Sequence, residues 1–305
     1  MTPFHRYLAE EVAVDHAEGL IPRREALRRL ALLGVGLPAA GAMLAACGAG
    51  GESTATAATP SAPDATPSAS ASPAGPSPLP AEAITFPGPE AGITLQGAWA
   101  AAAEPKGAVL VIHENRGLND HIRSVAGRLA ASGYSALAPD LLSREGGTAS
   151  FADQAQATAA LGRVPQARFA ADMKAALDEL ERRAPDRKLG VVGFCFGGGM
   201  VWLLLSSHEP RLSAAVPFYG PLPDNADFSG SKAAVLAIYA EQDDRVNATR
   251  DQARAALKKA GLKHEIVTYP GVNHAFFNDT GPRYNSEAAN QAFHRVLDWY
   301  ARYLG

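Results

Sequence analysis

Through the last two thirds of the chain, short apolar runs alternate with amphipathic stretches, and this alternation restricts the fold more than any other feature. The runs at 108–112, 134–138, 189–192, 214–219, 235–240 and 265–269 read as strands. Several are apolar without a break, the pattern of strands covered on both faces. The stretches 121–132, 168–183, 198–207, 248–260 and 286–303 carry helical periodicity. Such alternation predicts an α/β fold, a mostly parallel sheet with helices on both faces. Ligands of these sheets sit beyond the carboxyl ends of the strands.

One strand end is chemically loaded. Leu189-Gly190-Val191-Val192 runs into Gly193-Phe194-Cys195-Phe196-Gly197-Gly198-Gly199 and then into Met200-Val201-Trp202-Leu203-Leu204-Leu205. This is the nucleophile elbow of α/β-hydrolases, small-x-nucleophile-x-small, with Cys where most carry Ser. Small residues flank the nucleophile because a larger side chain would collide with the neighbouring strand or helix. The turn places the sulfur at a helix N-terminus, whose dipole favours thiolate. The plainer reading is a buried Cys in a glycine-rich packing turn. Nucleotide-binding loops do not fit, since position 195 interrupts G-x-G-x-x-G and no Lys follows the glycines.

In α/β-hydrolases the nucleophile is followed along the chain by an acid and then a His. His208, His264, His274 and His294 follow Cys195. No acid stands between the nucleophile strand and His208. His264 enters a strand at the wrong edge of the sheet, and His294 lies inside a helix. His274, in Pro270-Gly271-Val272-Asn273-His274-Ala275, falls just past the last strand and is the expected base. The acid should end the preceding strand, where Glu241-Gln242-Asp243-Asp244 offers Asp243 or Asp244, either of which could instead cap the next helix. A further carboxylate, Glu114, follows the strand at 108–112 in His113-Glu114-Asn115-Arg116-Gly117-Leu118. That loop commonly supplies half of an oxyanion hole, and a Glu beside a thiol opposes thiolate formation. It is not a zinc H-E-x-x-H, since position 117 is Gly.

The N-terminus is organised differently. Arg23, Arg24, Arg28 and Arg29 precede an uncharged run of 17 residues, 30–46, broken by Gly34, Gly36, Pro38 and Gly41. A membrane-spanning helix needs about 20 apolar residues, so a secretory leader is the expectation. Arg23-Arg24-Glu25-Ala26-Leu27 resembles a twin-arginine signal, and Leu44-Ala45-Ala46-Cys47 resembles a bacterial lipobox, which would leave Cys47 lipidated. From 48 to 80, 30 of 33 residues are Ala, Ser, Thr, Pro or Gly, too little apolar surface to offset the entropy of ordering. The expected organisation is therefore a leader at 1–46, a disordered tether at 47–81 and a catalytic domain at 82–305. Net charge is −3, from 28 Lys and Arg against 31 Asp and Glu, which gives no electrostatic footprint for nucleic acid. Two cysteines, Cys47 and Cys195, cannot build a Cys-rich metal site.

The elbow around Cys195, the loop 113–118, Ala138-Pro139-Asp140-Leu141-Leu142, Gln242-Asp243 with Val246, and Asn273-His274-Ala275-Phe276 together resemble the dienelactone hydrolase family, in its order, over about residues 82–305. The resemblance implies an α/β-hydrolase fold with Cys195 as nucleophile, His274 as base, Asp243 as acid and Glu114 holding the resting thiol. It implies the backbone N–H groups of Asn115 and Phe196 as oxyanion hole, and a small-molecule ester or lactone as substrate, with no metal or organic cofactor. The chain departs from the family at Asn278, where the founding enzymes carry an arginine that binds the substrate carboxylate; Arg144, Arg283 and Arg116 are the possible replacements. The alternative function is a catalytically silent envelope lipoprotein that binds a ligand or partner in the same cleft.

Overall fold

A computed structural model of the chain describes residues 3–48 and 72–305. Eight strands form one sheet: β1 (Glu82–Pro87), β2 (Thr94–Ala100), β3 (Gly107–Ile112), β4 (Tyr134–Pro139), β5 (Leu189–Phe194), β6 (Leu212–Phe218), β7 (Ala234–Ala240) and β8 (His264–Tyr269). Their order across the sheet is β1-β2-β4-β3-β5-β6-β7-β8. The six strands from β4 to β8 in that order pair in parallel, while β1 and β2 extend one edge by antiparallel pairing. The strands β3, β5 and β7, apolar without a break, and β4, apolar but for Ser135, are buried throughout, as two covered faces require.

The helices are α1 (Pro3–Ala17), α2 (Arg23–Leu32), α3 (Leu37–Gly48), α4 (Asp120–Ala131), α5 (Gln154–Arg163), α6 (Gln166–Arg183), α7 (Phe196–Ser206), α8 (Asp244–Asn247), α9 (Arg250–Lys259) and α10 (Ser286–Tyr303). Two glycines of β5 mark the two faces. A Cβ on Gly190 would meet Tyr300 and Leu304 at the end of α10, whereas one on Gly193, on the opposite face, would meet Gly197 and Val201 of α7. Helix boundaries follow local chemistry: the Asn119, Asp153 and Asn285 side chains accept the first free N–H groups of α4, α5 and α10.

Sequence and structure differ at three places. The edge strands β1 and β2 and the helix α5 were not expected. Four of the six residues of β1 are exposed and β2 contains Gly97, so neither presents a long apolar run. Within the expected tether, residues 49–71 lie outside the described residues, but 72–81 do not behave as a tether. Ala74 is buried, its carbonyl accepts from Arg128 at 2.9 Å, Gly75 N–H donates to Asn290, and Leu79 N–H donates to Gly127 O. The catalytic domain therefore starts about ten residues before Glu82. Finally, the segment expected as a leader forms α1 to α3, with α1 laid across the carboxyl ends of the strands. Cys47 falls in the last turn of α3, and its side chain lies outside the described residues. No helix among the described residues is long and apolar enough to cross a membrane.

Candidate active site

The site assembles where the parallel strands end. β5 terminates in an elbow at Cys195, whose backbone takes φ 57° and ψ −120°, a conformation unfavourable for a side-chain-bearing residue and held here by its surroundings. Cys195 N–H donates to Phe218 O at 3.1 Å, and its carbonyl accepts from Gly199 N–H. The flanking glycines are obligatory in this packing. A Cβ on Gly197 would lie 2.3 Å from Ile112 O and one on Gly198 2.3 Å from Phe218 O. Phe196 is the first residue of α7, so its N–H has no carbonyl four residues back to accept it.

His274 and Asp243 converge from the loops after β8 and β7. His274 Nδ1 lies 2.5 Å from Asp243 Oδ2. A carboxylate only accepts, so Nδ1 carries a proton, and Nε2 faces Cys195. Asp243 also caps α8 through Val246 N–H at 3.3 Å, which makes the two readings of this aspartate compatible. Its neighbour Asp244 is the first residue of α8 and makes no contact with His274. His208, His264 and His294 take no part.

The loop after β3 is braced by the 138–142 segment. Buried His113 bonds the Glu114 carbonyl through Nδ1 at 2.6 Å and accepts Leu141 N–H through Nε2 at 3.2 Å; burial pushes its imidazole below the usual histidine range. Asp140 accepts from Leu142 N–H and from Thr148. Glu114 is buried, with Oε2 bonded to Asn278 Nδ2 at 2.5 Å and Oε1 without a hydrogen-bond partner. The expected contact between Glu114 and the thiol is not formed. Its carboxylate is held by Asn278, the residue that stands where an arginine was expected.

The sulfur's hydrogen-bond partner is instead Tyr7 of α1, a residue that sequence reasoning missed. The Tyr7 hydroxyl lies 3.3 Å from Cys195 Sγ and 3.3 Å from His274 Nε2. Glu11, one turn further on, places Oε1 3.6 Å from the same nitrogen and pairs with Arg245. Burial alone would lower the His274 imidazole, but the Glu11, Asp243 and Cys195 charges outweigh it and hold it well above the usual range. Burial opposes ionisation of Glu11 too, and the Arg245 and His274 charges overcome it, holding the carboxyl at about 2. The signal for both residues was the spacing of Phe4, Tyr7, Leu8, Glu11, Val12 and Asp15 on one helical face.

A cavity of about 250 Å³ lies between α1 and the catalytic face, lined by Cys195, His274, Glu114, Asn115, Arg116 and Arg283 among others. Of the three candidate arginines, Arg116 and Arg283 reach it, whereas Arg144 is bound to Asp172 and Glu90. Glu11, Cys195 and His274 also offer oxygen, sulfur and nitrogen donors within 4.8 Å of one another. The Tyr7 hydroxyl already stands between sulfur and imidazole in that space.

Comparison with known proteins decides the family. The model of the "Dienelactone hydrolase family" matches residues 95–304. The chain belongs to the dienelactone hydrolase family. It is 36% identical over 210 residues to a Salmonella typhi protein named "Putative carboxymethylenebutenolidase", covering 65% of this chain and 77% of that one. A Methylorubrum extorquens protein of the same name is 34% identical over 239 residues, 74% of this chain and 82% of that one. The crystal structure of a "Putative Dienelactone Hydrolase" from Klebsiella pneumoniae superposes with a TM-score of 0.63 at 32% identity, covering 74% of this chain and all of that one. The protein is accordingly an α/β-hydrolase-fold enzyme of the carboxylic ester and lactone hydrolase class, and the reading as a silent binder falls.

Proposed function

We propose that the enzyme hydrolyses a small carboxylic ester or lactone through a Cys195-His274-Asp243 triad and a thioester intermediate. The observation that carries this is His274, tied to Asp243 through Nδ1 and turned with Nε2 toward the elbow cysteine. His274 Nε2 takes the thiol proton as Sγ attacks the carbonyl carbon, and the carbonyl electron pair moves onto oxygen. The backbone N–H groups of Asn115 and Phe196 are the donors for that oxyanion. Collapse breaks the C–O bond, and the leaving alkoxide takes the proton from Nε2. Water then gives its proton to Nε2 and attacks the thioester, releasing the carboxylic acid and restoring the thiol. Arg116 and Arg283, on the cavity wall, suit a substrate that carries a carboxylate.

The test is a panel of aryl esters, lactones and enol-lactones with intact-protein mass spectrometry of quenched reactions. An acyl adduct on Cys195 is expected; turnover without any adduct, undiminished in Cys195→Ala, would reject the triad.

Export as a lipid-anchored protein of the bacterial envelope belongs to the same proposal. Its support is the exposed Arg23 and Arg24 at the start of α2 and the Leu44-Ala45-Ala46-Cys47 sequence. Envelope fractions should yield a chain that begins at an acylated Cys47. Soluble cytoplasmic protein beginning at Met1 would remove this part of the reading.

A further inference from the structure

The face that α1 presents to the catalytic centre is composed as a ligand for it. Phe4 meets the ring of Phe196 edge-on at 5.9 Å between centroids. Tyr7 is buried with its hydroxyl between sulfur and imidazole, and the Arg245 guanidinium stacks 4.2 Å over its ring while donating to its backbone carbonyl. Three carboxylates follow at helical spacing, Glu11 and Asp15 in α1 and Glu18 just past its end, and each finds a partner on α8 or on the loop after β8. Glu11 pairs with Arg245, Asp15 and Glu18 pair with Arg283 at 2.9 and 2.7 Å, and Glu18 also accepts from Asn273, the residue beside the base. Hydrophobic anchor, hydroxyl and acids thus match aromatic, catalytic and cationic groups in order along a single helix.

We propose that residues 3–18 are an intramolecular ligand of the active site, which keeps the unprocessed chain closed until the leader is removed. This rests on the triad and on cleavage before Cys47, both proposed above. For acyl transfer the carbonyl carbon must approach Sγ to about 3–3.5 Å along a path that also leaves Nε2 free. Tyr7 stands on that path, and Glu11 takes the other outward direction of Nε2. Arg283, one of the two candidate arginines on the cavity wall that would meet an anionic substrate, is occupied by Asp15 and Glu18. Processing at Cys47 would release all three blocks at once, because Tyr7, Glu11, Asp15 and Glu18 lie on one side of the cut.

The test uses the full chain and the double variant Tyr7→Ala/Glu11→Ala, both checked for cooperative melting. Alkylation of Cys195 by iodoacetamide, read by mass, and hydrolysis of p-nitrophenyl acetate should each rise about tenfold or more, as the open fraction rises. Unchanged alkylation in the folded variant would overturn the proposal. So would slower hydrolysis with faster alkylation, which would make Tyr7 or Glu11 a participant in turnover. Adding Cys195→Ala to the double variant separates the two readings: hydrolysis that persists there rejects the triad, whereas the Cys195 alkylation rate in the double variant reports on the helix. A second arm covers a variant that fails to fold. A protease site placed within residues 49–71 of the otherwise native chain is cut, and the freed N-terminal piece is removed. A synthetic peptide of residues 3–18 should then slow alkylation and a scrambled peptide should not; equal effects of the two would also overturn the proposal.

Discussion

Tyr7 and Cys195 are 188 residues apart in the chain and 3.3 Å apart in the fold. The contact joins the segment that reads as a leader to the atom that reads as the nucleophile. It also explains why the thiol is buried while the cavity beside it is open.

Asp243→Asn separates the two roles of this residue. The amide still accepts Val246 N–H and so keeps the cap on α8, but it no longer selects the Nδ1–H tautomer of His274. We expect kcat to fall about 10³- to 10⁴-fold with the melting temperature little changed. A comparable loss of stability would assign Asp243 a mainly structural role.

Cys195→Ala should bring ester hydrolysis to background while costing about 1 kcal/mol or less of folding stability. The positive φ strain is the same for both residues, and only the sulfur and its bond to Tyr7 are lost. Activity assays and urea melts check both halves.

Asn278→Leu removes the donor that holds Glu114 and leaves a carboxylate buried with no hydrogen-bond partner on either oxygen. Such a deletion costs about 3 kcal/mol. Glu114→Gln in the same background should restore most of the loss, since a neutral amide is far cheaper to bury. Denaturant melts of the single and double variants measure the coupling.

Docking of α1 should depend on pH through two groups of opposite sign. Glu11 has its carboxyl lowered from 4.5 to about 2, so its contribution is complete above the ordinary value and lost as pH falls through about 2. His274 is raised well above 6.5, so its contribution is complete below that value and lost as pH rises through the raised one. The groups around the imidazole are Tyr7, Glu11, Asp243, Cys195 and Tyr219, with Arg245 beyond Glu11. The difference in melting temperature between wild type and Glu11→Gln should therefore be larger at about pH 6 than at about pH 9. An equal difference at both would remove the Glu11–His274 interaction.

The elbow was legible because tight backbone packing leaves a mark in residue type: Gly193, Gly197 and Gly198 have no room for a Cβ. The convergence of Cys195, Asp243 and His274 was legible because each follows a strand whose apolar run could be counted. Asn278 as the partner of Glu114 was not, since the two are 164 residues apart and nothing local pairs them. The docking of 72–81 left no trace in composition because its anchors include the backbone groups of Ala74, Gly75 and Leu79, which every residue except proline offers in full. The role of α1 was hidden by a stronger signal. Arg23, Arg24 and the run before Cys47 read as a leader, and that reading says nothing of where the segment rests when folded.

The Cys195 amide is bonded to Phe218 in the neighbouring strand, whereas His274 N–H finds only the Asn273 side chain beside it. The nucleophile is thus anchored to the sheet, and its amide opens to solvent only when β5 and β6 part. The His274 imidazole rides on a loop, and Asp243 is the carboxylate that orients it. Slow changes in activity, whether from temperature, mutation or a departing helix, therefore enter this enzyme through the imidazole, with the sulfur as the fixed point against which it moves.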